Sequence, residues 1–270
     1  MVKIAVNGAG GRMGSRILAL ADASHFDIVG AYENETSPLR GKKISLSENR
    51  SIQIDVLSPS ALKGKGVLID FSSPTGVPTS LLCAERAHWG LVIGTTGVEE
   101  RTQQALRRRS SKIPIVFSSN MSIGVNVMLA LVAEAAQKLS NEFEIKMSET
   151  HHCHKKDAPS GTALMLLRSI ADAKKWNSSQ IAEEKSRIRS IREGEIVGDH
   201  TVLFSGPAET LEITHRAQSR DTFARGALLA ALFLSKKKKG LFNMQDVLGL
   251  WVAGTIVLAL YVAGTTNRPK

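Results

Sequence analysis

The sequence predicts an α/β protein in which a parallel sheet flanked by helices is followed by a second region with an antiparallel sheet. Two observations carry that expectation. The first half repeats a short β-branched run, a Gly or Ser turn and a helical stretch, the rhythm of a parallel sheet. Residues 196–205 (IVGDHTVLFS) and 209–218 (ETLEITHRAQ) instead alternate polar and apolar side chains, as strands with one wetter face do.

In chain order, the parallel strands are Val2 to Val6, Phe26 to Tyr32, Val67 to Phe71, Leu91 to Ile93 and Ile113 to Phe117. Their near-continuous apolar character fits burial on both faces. Helices are expected near 12–23, 75–88 and 98–109. From Gly124 a helix runs through Leu139, leading to a strand near Phe143 to Ser148, a polar loop at 151–159 and a helix opened by Ser160. The change of pattern places a second domain at about 123–231. No internal repeat is visible.

Composition narrows the class. Hydrophobic residues make up 43% and charged ones 22% of 270 residues, which excludes a disordered or collagen-like chain. Cys83 and Cys153 lie far apart with no CxxC pair, so neither a disulfide framework nor zinc-finger spacing is present. The opening MVKIAVNGAGG has too short an apolar run for a signal peptide, and the chain reads as cytoplasmic. The net charge of +10 owes much to Arg107-Arg108-Arg109 and Lys236 to Lys239, each closing an amphipathic segment where cations suit a helix C-terminus. Aromatic residues are only 5%, so a stacking platform for nucleic acid is not expected. The uncharged stretch 247–267 is long enough to cross a bilayer, yet its glycines and threonines also suit a buried segment; both readings stay open.

The glycine loop is the first functional signal. Strand Val2 to Val6 runs into Asn7-Gly8-Ala9-Gly10-Gly11-Arg12-Met13-Gly14, and Ile17, Leu18 and Leu20 then begin a helical stripe. Strand, glycine turn and helix form the context of a dinucleotide fingerprint, here with GxxGxxG rather than GxGxxG spacing. Residues without Cβ let the backbone approach a pyrophosphate, and N–H groups at a helix start bind it. The second strand ends at Tyr32-Glu33, 22 residues after Gly11, where a carboxylate can accept from ribose hydroxyls or simply face solvent. Asn34 follows, with Arg40, Lys42 and Lys43 further on, so NADH and NADPH both remain open. Gly94-Thr95-Thr96-Gly97 and Ser118-Ser119-Asn120-Met121 also fall at carboxyl ends of strands, where open α/β sheets bind ligands. Met121 can pack against a nicotinamide ring or against a hinge.

Glu149 to Thr162 (ETHHCHKKDAPSGT) is the second signal, with three of the seven histidines in four residues. Contiguous HHCH lacks the spacing that converges metal ligands, so no metal is expected. A merely polar loop is the plain alternative. Histidine moves protons near neutrality, and Lys155 can stabilise or protonate a developing anion. Pro159-Ser160-Gly161-Thr162 opens a helix whose first N–H groups suit a carboxylate or phosphate.

Taken in order, GAGGRMG, DFSSPTG (70–76), GTTG (94–97), SSNMSIGVNVM (118–128), ETHHCHKKDAPSGTA (149–163) and LEITHRAQSRDTFARGA (211–227) resemble the dihydrodipicolinate reductase family over about residues 2–250. The resemblance implies a Rossmann-type parallel sheet domain, 1–122 plus 232–270, with an inserted mixed α/β substrate and tetramerisation domain, 123–231. It implies reduction of a small cyclic dicarboxylate with NADH or NADPH in lysine and diaminopimelate synthesis, by a homotetramer. His151 would be the acid/base residue and Lys155 a second proton donor, with His152, Gly161 and Thr162 on the substrate carboxylates. The cofactor would touch Gly8, Ala9, Gly10, Gly11, Arg12, Met13, Glu33, Gly94, Thr95, Thr96, Ser118, Ser119, Asn120 and Met121. Two departures stand out: Asn34 replaces an arginine that supports the 2′-phosphate in some members, and the tail beyond about Leu250 exceeds the usual family end. A dehydrogenase using Cys153 as nucleophile and a non-catalytic protein, either an NAD(H) sensor or a basic DNA-binding regulator, are the rival readings.

Overall fold

The computed structural model describes residues 1–48 and 50–250. The chain opens with β1 (Val2–Asn7), α1 (Gly14–Leu20), β2 (Phe26–Glu33), β3 (Lys43–Ser47), β4 (Arg50–Val56) and β5 (Val67–Asp70). Next come α2 (Val77–Ala87), β6 (Gly90–Ile93), α3 (Glu100–Arg109) and β7 (Pro114–Phe117). The middle of the chain forms α4 (Ile123–Lys138), β8 (Glu144–His151), α5 (Gly161–Lys174), α6 (Ser178–Arg187), β9 (Arg189–Arg192), β10 (Gly198–Ser205) and β11 (Thr210–Ala217). It closes with α7 (Asp221–Leu234), β12 (Gly240–Phe242) and α8 (Met244–Leu248).

Met1–Ser122 with Arg220–Leu248 form one compact unit, and Ile123–Ser219 lie in the other. The first unit holds a sheet in the order β12-β7-β6-β5-β1-β2-β4-β3, parallel except where β3 meets β4. Period-two side-chain placement divides its apolar strands between two cores. Ile4, Val6, Ile69, Val92 and Val116 join Ile17 of α1 and the alanines of α7, whereas Leu68, Leu91, Ile93 and Ile115 join Leu81 of α2, Leu106 of α3 and Trp89.

That packing moves a boundary. The sequence placed the second domain's end at 231, but α7 belongs with the first unit, and the division falls at Ser219/Arg220. The reason is its buried face, Ala224, Ala227, Leu228, Ala230, Ala231 and Leu234, which belongs to the same core cluster as β1 and β5. The basic runs sit where the sequence put them: Arg107 pairs with Glu100 at 3.0 Å, Arg109 with Glu85, and Lys237 lies 4.7 Å over the Phe233 ring. No helix among the described residues is long and apolar enough to cross a membrane; the open question about 247–267 falls mostly outside those residues.

The second unit holds a four-stranded sheet, β11-β10-β8-β9. β10 runs antiparallel to both β8 and β11, and β9 lies parallel to β8. One sheet face, with Val202 and Phe204, forms a single core cluster with α4 and α5 residues such as Leu129 and Leu166. β8 continues through His151, so the first histidine of the cluster belongs to a strand rather than to the polar loop expected from 151 onward.

Candidate active site

Strand alternation puts Glu149 and His151 on one face of β8, and register supplies their neighbours. His200 of β10 lies opposite Glu149, and Arg192 of β9 is paired with His151. All of Glu149, His151 and His200 are buried. His151 Nδ1 faces Glu149 Oε2 in a short contact, and Arg192 forks onto both Glu149 oxygens at 2.9 and 3.1 Å. A carboxylate only accepts, so Nδ1 carries a proton and Nε2 is the nitrogen free to titrate.

The electrostatics follow from burial. It opposes the charge on Glu149, but hydrogen bonds led by Arg192 outweigh it and hold this carboxyl below its ordinary value. For His151, burial disfavours the imidazolium more than Glu149 favours it, and its pKa is lowered, with Lys155 and Arg192 adding to the effect. Burial, then the nearby His151, lowers His200 to about 4. The His151 and His200 rings meet edge to face at 5.1 Å. Glu149, His151 and His200 converge closely enough to hold an ion, but the guanidinium fork on Glu149 makes this a charge-paired network rather than a cation cage.

Ser160 connects the network to a helix start. Its hydroxyl oxygen accepts from Ala163 N–H at 3.1 Å as the N-cap of α5 and lies 3.1 Å from His200 Nε2. Gly161 and Thr162 are the first residues of that helix. Lys155 sits in the loop before it, with Nζ 2.9 Å from Asp157 Oδ1, and His152 keeps a buried Nδ1 with no hydrogen-bond partner. The second unit thus gathers the five acid, cation and carboxylate-binding residues expected from the sequence. Glu149, Arg192, His200 and Asp157 were missed. Glu149 could have been found from its i, i+2 relation to His151; Arg192 and His200 need the strand pairing.

In the first unit the glycine turn sits directly beyond β1. Gly8 has a positive φ of 81°, and a Cβ there would meet the Phe71 carbonyl oxygen at 2.5 Å. Gly8 and Ala9 N–H donate to Tyr32 O at 2.9 and 3.0 Å, and Gly10 N–H donates to Glu33 Oε1 at 2.8 Å. Gly11 and Arg12 are exposed, and Met13 caps α1. The loop is therefore closed against the end of β2, with Glu33 beside it.

A buried aspartate organises the other loops. Asp70 accepts from Asn7 Nδ2 at 3.1 Å, from Thr95 Oγ1 at 2.5 Å, from Ser72 N–H at 3.1 Å and from the Ser80 hydroxyl. Thr95 thus spends its side chain on Asp70, while Thr96 is exposed. Ser118 Oγ donates to Asn120 O at 3.0 Å, and Asn120 Oδ1 accepts from Ser122 N–H at 2.8 Å, with Ser119 between them in the same turn. Met121 is a core residue, only 2% exposed, and its carbonyl oxygen lies close against Gly226 of α7. Asp70 stood inside the DFSSPTG motif without a role; a carboxylate at the end of an otherwise apolar strand was the available signal.

Family models described as the N-terminus and the C-terminus of dihydrodipicolinate reductase match residues 2–121 and 124–248. A 4-hydroxy-tetrahydrodipicolinate reductase of Pseudoalteromonas translucida is 42% identical over 262 residues, covering 92% of this chain and 98% of its own. One from Syntrophotalea carbinolica is 41% identical over 267 residues, covering 93% and 100%. The structure of a dipicolinate-bound dihydrodipicolinate reductase from Paenisporosarcina sp. shares the fold, with a TM-score of 0.72 and 21% identity over 91% of this chain and 98% of that one.

Proposed function

From the premise that this chain belongs to the dihydrodipicolinate reductase family and reduces 4-hydroxy-tetrahydrodipicolinate to tetrahydrodipicolinate with NAD(P)H, in lysine and diaminopimelate synthesis, we propose that His151 is its acid/base residue and Lys155 its second proton donor. The Glu149–His151 contact carries the assignment: it fixes the ring tautomer and leaves Nε2 to exchange a proton. The ammonium of Lys155 leaves Asp157 for the substrate as negative charge develops there. His152, Gly161 and Thr162 bind the two carboxylates, supported by the partnerless His152 Nδ1 and by the Ser160-capped start of α5.

The first unit is the nucleotide-binding domain in this reading. Its residues fit the cofactor, because the turn at Gly8 leaves no room for a Cβ and Glu33 stands beside the loop where ribose hydroxyls would lie. When bound, NADH or NADPH supplies the hydride. Gly8 through Met13, Glu33, Gly94 to Thr96 and Ser118 to Met121 hold it, Thr95 through its backbone. Asn34 is exposed and uncharged, which supports use of both cofactors rather than strict NADPH dependence. The second unit binds substrate and, as in the family resemblance, assembles a cytoplasmic homotetramer. Its polar sheet face around Lys146, Thr201, Leu203 and Glu212 lines an open hollow of about 480 Å³ that suits the association.

The deciding experiment couples the protein to dihydrodipicolinate synthase and follows oxidation of NADH and NADPH in parallel. His151→Gln is expected to lower kcat by about 10²-fold or more while nucleotide affinity stays unchanged. A variant that keeps the wild-type rate would overturn the assignment of His151.

A further inference from the structure

We propose that Cys153, His154 and Glu195 form a binding site for one zinc-class divalent ion, and that its occupancy slows the reductase. One ligand atom from each side chain lies within 4.8 Å of the other two, and all three residues are exposed. His154 Nε2 and Glu195 Oε1 are 3.5 Å apart. That is longer than the roughly 2.7–3.2 Å of a well-made hydrogen bond. It matches the edge of about 3.4 Å between two ligands of a tetrahedral ion held at about 2.0–2.2 Å. Thiolate, imidazole and carboxylate together are the donor set of a borderline ion such as Zn²⁺, whereas Mg²⁺ and Ca²⁺ prefer oxygen alone. Three protein ligands leave a fourth position for water.

The backbone holds these ligands in place before any ion arrives. Cys153 N–H donates to Gly194 O at 3.1 Å, His152 N–H to Ile196 O at 2.7 Å and Glu193 N–H to His151 O at 2.8 Å. These bonds fasten 151–153 to 193–196 just past the paired ends of β8 and β9, and Lys155 N–H donates to His152 O at 3.1 Å across the turn that carries Cys153 and His154. Cys153 and His154 lie in a turn rather than an extended strand, so neighbouring residues can converge. The sequence hid the site because its third ligand lies 41 residues after His154.

The effect on rate rests on the reading that His152 and Lys155 serve the reduction. Both are chain neighbours of the ligands, and an ion there pins the turn that carries them while substrate is bound and released. The site is separate from the Glu149, His151 and His200 network, whose carboxylate is taken by Arg192.

Cobalt titration of the metal-free full chain, read by thiolate-to-cobalt charge-transfer absorption and displaced by zinc, tests the site independently of turnover. One ion per chain is expected, with the band lost in Cys153→Ser and affinity reduced about tenfold or more in Glu195→Gln. Both variants keep the basal reductase rate, and zinc slows the wild type with the midpoint of its binding but leaves Cys153→Ser unaffected. A cobalt band that survives Cys153→Ser, or unchanged affinity in Glu195→Gln, overturns the site. Saturating zinc without loss of rate, or inhibition that persists in Cys153→Ser, overturns the control of the reductase. Should no reduction be seen at all, the cobalt result still decides whether the site exists.

Discussion

At the scale of single residues, His151, the proposed acid/base residue, depends on a position that has no side chain. A Cβ built at Gly198 would stand 2.9 Å from His151 Nε2 and 3.3 Å from Cδ2. Gly198→Ala therefore displaces the ring, and displacement of a catalytic group by about 1 Å can cost about 10²-fold in rate. The expected result is a fall in kcat of that order with NADH affinity unchanged; an alanine variant of normal kcat would show that the ring has room to spare. His200 supplies a pH dependence. Burial lowers its imidazole to about 4 in the folded chain, against about 6.5 when unfolded. Between those values the unfolded state binds more protons, so stability rises with pH through this window. The contribution is fully present above about 6.5 and is lost as pH falls toward 4, at a cost of about 3 kcal/mol. Urea midpoints should drop across that range in the wild type and change less in His200→Gln; equal slopes would remove His200 as the source.

At the scale of elements, the ends of the parallel strands are joined by one carboxylate. Asp70 at the end of β5 binds Asn7 from β1, Ser72 from its own loop, Ser80 from α2 and Thr95 from the loop after β6. Asp70→Asn removes the charge and turns one acceptor into a donor facing other donors, at a cost of about 3 kcal/mol. NADH affinity should fall along with the urea midpoint, because the loops proposed to cradle the nucleotide lose their common anchor. Unchanged affinity in a destabilised variant would separate the anchor from binding. The strand and helix order was readable because apolar period and glycine turns are local signals. Strands β1, β2, β5, β6 and β7 and helices α2 to α5 fall within a few residues of their expected places. β3, β4, α6 and β9 were not expected. β3 and β4 do alternate, with Ile44 and Leu46, and Ile52, Ile54 and Val56, less exposed than their neighbours, but both are short and mostly polar, so this legible signal is weaker than the apolar runs of the parallel strands. β9 is four residues long and reads only through its pairing with β8, which is also why Arg192 could not be placed on Glu149 from sequence.

At the scale of the whole molecule, the chain leaves its first unit and returns to it, and the return point was the least visible boundary. Helix α7 follows β11 after a few residues, and nothing local marks it as belonging to the earlier sheet. Its membership is a packing fact: Leu228 and Leu234 lie in one cluster with Ile4, Ile17 and Val92. Full burial of each such side chain stabilises by about 1.5–3 kcal/mol. Losing them, and exposing the sheet they cover, removes an amount comparable to the roughly 5–15 kcal/mol that holds a domain folded. A chain ended at Ser219 should therefore fail to bind NADH and accumulate as aggregate. The points where the chain leaves and re-enters this unit meet, since Ser122 Oγ, in the loop after β7, lies 3.1 Å from Thr222 Oγ1 of α7. Deleting 123–219 and bridging the gap with a short Gly-Ser linker should accordingly leave a folded unit that binds NADH with unaltered affinity and reduces nothing. Loss of nucleotide binding in that deletion, measured by fluorescence titration beside the full chain, would mean that the inserted segment helps to build the cofactor site; binding retained in the chain ended at Ser219 would mean that α7 does not.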